Sequence, residues 1–66
     1  MSFSIQEKNL TVIYHSGSRE DTAAQLREAL PYIAEPDTLA AAHTALGKLE
    51  SMSDMEFSLT FREVLL

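Results

Sequence analysis

Sixty-six residues without a single cysteine leave this chain few ways to hold a fold together. A hydrophobic core grows with chain length, and at this size apolar burial and the entropy of ordering the chain nearly cancel. Small domains usually add disulfides, a metal or a partner subunit. The disulfide route is closed here, so stability must come from packing, from a partner or from self-association. There is room for one domain, spanning residues 1–66. The lack of thiols also removes cysteine nucleophiles, iron–sulfur ligation and Cys-based zinc sites, and it suits a reducing compartment. A cytoplasmic protein is expected.

Ten carboxylates against five basic side chains give a net charge of −5. That balance favours solubility and opposes both nucleic-acid phosphates and anionic lipid headgroups, so neither nucleic acid nor membrane is expected as a direct partner. The first eight residues contain no basic segment followed by an apolar one, and no stretch approaches the roughly 18 apolar residues of a membrane span.

Alternation dominates both ends of the chain. Phe3 and Ile5 alternate with Ser2, Ser4 and Gln6, and beyond Glu7-Lys8-Asn9 the residues Leu10, Val12 and Tyr14 alternate with Thr11, Ile13 and His15. Period two predicts strands, either as a hairpin turning at Glu7-Lys8-Asn9 or as one long bent strand from Phe3 to His15. Met55, Phe57, Leu59 and Phe61 alternate with Glu56, Ser58, Thr60 and Arg62 and predict a closing strand.

Between the ends, Ser18 with Asp21 three residues on predicts a helix start, Ala23, Leu26 and Leu30 follow helical spacing, and Pro31 ends the run. A connector, 31–36, leads to a second helix capped by Asp37 or Thr38, with Leu39, Ala42, Leu46 and Leu49 as its apolar stripe. Gly47 interrupts that helix, which either frays there or meets a close neighbour that requires a small residue; close packing is the favoured reading. The expected fold is α+β, in the order β-β-α-α-β: a small antiparallel sheet with two helices packed on one face.

Nothing in the sequence spells out catalysis. His15 and His43 lack metal-ligand spacing, so His15 is read as a solvated strand-end residue and His43 as a partly buried packing residue. Ser16-Gly17-Ser18 lacks the glycine spacing and lysine of a phosphate-binding loop and reads as a turn. Catalytic residues, cofactors and metal ligands are expected to be none. Met52 and Met55 offer either an adaptable contact surface or core filling at the helix-to-strand junction, and core filling is the favoured reading.

The stretch Leu30-Pro31-Tyr32-Ile33-Ala34-Glu35-Pro36-Asp37, followed by Leu39, Ala45, Leu46 and Leu49, resembles a family of short uncharacterised bacterial proteins. The resemblance covers the second half of the chain and implies no activity and no functional residues. The residues themselves point to a non-enzymatic protein–protein interaction or self-assembly module. Its contacts are expected at apolar side chains without a clear place in the core: Tyr32, Ile33, Val64, Leu65 and Leu66. The competing reading is a small acidic inhibitor that imitates nucleic acid and binds a DNA- or RNA-acting protein through Glu35, Asp37, Glu50, Asp54 and Glu56.

Overall fold

The computed structural model describes residues 3–65, which form four α-helices: α1 Ile5–Ile13, α2 Arg19–Ala29, α3 Pro36–Ser51 and α4 Asp54–Leu65. A 3-10 turn, Leu30–Tyr32, joins α2 to α3. The fold is all-α, not α+β. Among the described residues there is no strand, and the β-type pairing consists of an isolated bridge between Ser16 and Ser18 in the α1–α2 turn.

The expected sheet fails because serine-led caps start helices where alternation predicts strands. Ser4 Oγ accepts from the Glu7 backbone N–H at 3.1 Å, and Glu7 Oε1 accepts in return from the Ser4 N–H at 2.9 Å. Ser53 and Glu56 repeat this capping box at the start of α4, with distances of 3.1 and 3.0 Å. Each box satisfies two backbone donors that a helix N-terminus otherwise leaves open. Once α1 is wound, its buried residues are Glu7, Leu10 and Thr11, with Tyr14 half-buried one turn later, which is a helical spacing.

The α2 helix follows the sequence closely: Ser18 caps it by accepting from the Asp21 N–H at 3.1 Å, and the chain tightens into the 3-10 turn at Pro31. Helix α3 starts earlier than Asp37 or Thr38. Glu35 is its N-cap and Pro36 occupies the first turn, where a missing N–H costs nothing and the fixed φ already suits a helix. Gly47 neither frays α3 nor meets a close neighbour. It lies within the helix, and a Cβ there would find no atom within 4 Å. Gly17 is different: its φ of +51° turns the chain from α1 into α2, a conformation that glycine adopts without strain.

Helix α3 is the central element, with α1 and α2 packed on it. Ala42, Ala45, Leu46 and Leu49 from α3 meet Leu10 of α1 and Ala23 and Leu26 of α2 in one core. The alanines let the neighbouring backbones approach. Phe3, Phe57 and Phe61 close one side, with ring centroids 5.1 Å apart for Phe3–Phe61 and 5.2 Å for Phe57–Phe61. Met52 joins this core as expected, whereas Met55 does not.

Candidate functional site

Helix α4 has two apolar faces. Phe57 and Phe61, one turn apart, point into the core, while Met55 and Leu59, also one turn apart, lie on the opposite side and are 73% and 60% exposed. Residues that alternate in sequence thus form two i, i+4 pairs, one inward and one outward. Such a helix is apolar on more of its circumference than its own fold covers. Asp54 and Glu56 flank the outward pair at its N-terminal end, both exposed.

A second outward apolar set lies on α1. Ile5 and Ile13 are 81% and 70% exposed, and Val12 is partly exposed beside them. Of these residues the sequence offers Met55 alone as a contact surface, and only in second place to core filling. The available signal was the pair of Ser-x-x-Glu motifs, Ser4 to Glu7 and Ser53 to Glu56, which would have turned both alternating segments into helices and their surplus apolar residues into outer faces.

The residues singled out from the sequence separate in the structure. Tyr32 stands on the 3-10 turn, 87% exposed, while Ile33 is half-buried and packs against the core. Leu66 lies outside the described residues, as do the side chains of Val64 and Leu65. His15 is exposed, with its ring stacked on Phe57 at 6.4 Å between centroids and 9° between planes. It follows a helix and not a strand. His43, expected to be partly buried, faces solvent from α3.

Among the described residues, three ion pairs tie the helices together. The Lys48 ammonium donates to Glu7 Oε1 at 2.7 Å and sits 5.5 Å from the Phe3 ring centroid. Arg19 donates from Nε to Asp54 Oδ1 at 2.8 Å and from Nη1 to the Leu49 carbonyl at 2.7 Å. Arg27 pairs with Glu50. Lys48 is the main reason the Glu7 carboxyl is held below its ordinary value, and the Ser4 N–H adds to the effect.

An open, polar groove beside Arg19, Glu20, Ala23, Arg27 and Glu50 has the makings of an anion site only on paper, because both of its guanidinium groups are already occupied by carboxylates. Among the described residues, no group of three or more His, Asp or Glu side chains could hold a metal ion. No helix among them is long and apolar enough to cross a membrane.

Comparison with curated proteins and with solved structures returns no match. A family model does match, over residues 3–61, from the core residue Phe3 to the core residue Phe61, and so takes in α1, α2, α3 and α4 as far as Phe61. The chain accordingly belongs to the family described as "Putative transposon-transfer assisting protein".

Proposed function

We propose that the protein is a non-enzymatic binding module whose α4 outer face seats a cationic, amphipathic segment of a protein partner, and that this docking is its assisting role in transposon transfer. The observation that carries the reading is the outward pair Met55 and Leu59. Methionine suits this task because it adapts to an irregular apolar partner, and leucine one turn on extends the apolar contact.

Charge selects the kind of partner. Three of the five cations, Arg19, Arg27 and Lys48, are taken up by internal ion pairs, so carboxylates dominate the field that an approaching molecule meets. Asp54 and Glu56 beside the apolar pair are engaged by Arg19 and the Ser53 cap, so it is the carboxylate surplus of the whole surface that favours a ligand carrying lysine or arginine next to its own apolar side chains. Exposed Tyr32, with Glu35 and Asp37 close by in the chain, offers similar chemistry to the same class of partner.

Nucleic-acid mimicry is the weaker reading. Of the carboxylates it would use, Glu50 and Asp54 are engaged by Arg27 and Arg19, and Glu56 is turned to the Ser53 cap. Glu35 and Asp37 alone do not make a phosphate-like row.

A labelled synthetic helix with leucine on one face and lysine on the other, titrated with the protein and read by fluorescence anisotropy, tests the proposal. The lysine peptide is expected to bind at least tenfold more tightly than the same peptide with glutamate in place of lysine. Met55→Ser combined with Leu59→Ser should weaken binding by a further factor of ten or more while the helical circular dichroism is unchanged. Equal binding by the double variant would overturn the assignment of the face.

A further inference from the structure

The outer face of α1 differs in charge from the face just assigned. Its outward residues are Ile5, Gln6, Lys8, Asn9, Val12 and Ile13; the one carboxylate of this helix, Glu7, is buried and paired with Lys48. On a protein of net charge −5, self-association is opposed wherever carboxylates meet carboxylates. Helix α1 presents an apolar stripe that adds no such charge.

The stripe is also laid out symmetrically. Ile5 and Ile13 stand four residues either side of Asn9, about 12 Å apart along the axis at 1.5 Å per residue. In a two-fold contact the same patch serves both copies, so a residue i that meets j requires j to meet i. Two α1 helices laid antiparallel about an axis near Asn9 satisfy this: Ile5 of each copy packs against Val12 and Ile13 of the other. The polar Asn9 side chains, brought together near the axis, favour this register over a slipped one, as a lone asparagine does in a helical seam.

We infer that α1 is a homodimerisation surface, and that its occupant is the α1 of a second copy packed antiparallel. A contact made by one nine-residue helix from each copy is short beside a permanent interface, so the dimer is weak and forms at high protein concentration. Each dimer carries two α4 faces and can bind a partner bivalently, yet the contact through α1 does not depend on the α4 assignment.

Sedimentation equilibrium across a concentration series, from about ten micromolar to one millimolar, is the test. The wild-type mass should rise from one chain toward two. Ile5→Glu alone and Ile13→Lys alone should each keep the protein monomeric, and because these positions are exposed, helical circular dichroism should be retained. The double variant I5E/I13K places glutamate against lysine twice in the antiparallel dimer, so its mass should rise again, and that recovery should be lost in high salt. A wild type that stays monomeric at one millimolar overturns the inference. Single variants that dimerise as the wild type does, or a double variant that fails to recover, would each rule out the antiparallel geometry. Met55→Ser with Leu59→Ser should leave the dimer unchanged, which separates this result from the peptide titration.

Discussion

Glu7 does three things with one carboxylate. It closes the capping box with Ser4, pairs with Lys48 across the α1–α3 contact, and does so while almost wholly buried. Replacing it by Gln keeps a cap acceptor but leaves Lys48 without its counter-charge, and is expected to cost about 1–2 kcal/mol in urea unfolding at pH 7. The pH dependence follows from the depressed ionisation. The folded protein holds this group below its ordinary 4.5, first through Lys48 and then through the Ser4 N–H. Its contribution is therefore complete above about that value and disappears as pH falls from there through the folded-state value. Unfolding midpoints measured between pH 3 and pH 7 should fall on acidification in the wild type and fall less in Glu7→Gln. Equal slopes would show that other carboxylates, such as the Ser53-bonded Glu56, dominate acid sensitivity.

At the scale of the element, α3 and α4 show what a sequence reading catches and what it misses. The α3 stripe of Ala42, Leu46 and Leu49 was legible because a helix buried on one side repeats near 3.6 residues, and these three are buried. Helix α4 was not, since Met55, Phe57, Leu59 and Phe61 alternate as a strand would; only the Ser53–Glu56 box marks that segment as a helix start. The site was missed with the fold. A strand would have buried Met55 and Leu59 with the phenylalanines, whereas a helix turns them outward and makes them available. Gly47 was misread for another reason, because a glycine in a helix signals close packing only when a neighbour is present, and here the space is open. Gly47→Ala should therefore raise stability, by up to about 1 kcal/mol, through helix propensity and a less flexible unfolded chain. A higher urea midpoint with an unchanged slope is the expected observation.

On the scale of the whole molecule, four short helices need something to fix α4 at the end of α3, and Arg19 is placed to do it. From the first turn of α2 it reaches the carbonyl of Leu49 near the end of α3 and the carboxylate of Asp54 at the start of α4. No sequence periodicity could have announced this, because its partners lie 30 and 35 residues away. The two bonds are not equal in worth. Asp54 is 81% exposed at its side chain, where an ion pair contributes under about 1 kcal/mol, while the bond to the Leu49 carbonyl satisfies a helix-end acceptor that is shielded from water. Asp54→Ala should accordingly cost little, and Arg19→Ala about 1–2 kcal/mol. Arg19→Lys should recover only part of that loss, since a single ammonium lacks the fork that lets the guanidinium serve both acceptors at once. Because Met55 and Leu59 ride on α4, the same series read by the peptide titration should show binding fall in Arg19→Ala at temperatures where Asp54→Ala still binds fully. Parallel losses in the two variants would mean that the ion pair, and not the carbonyl bond, positions the helix.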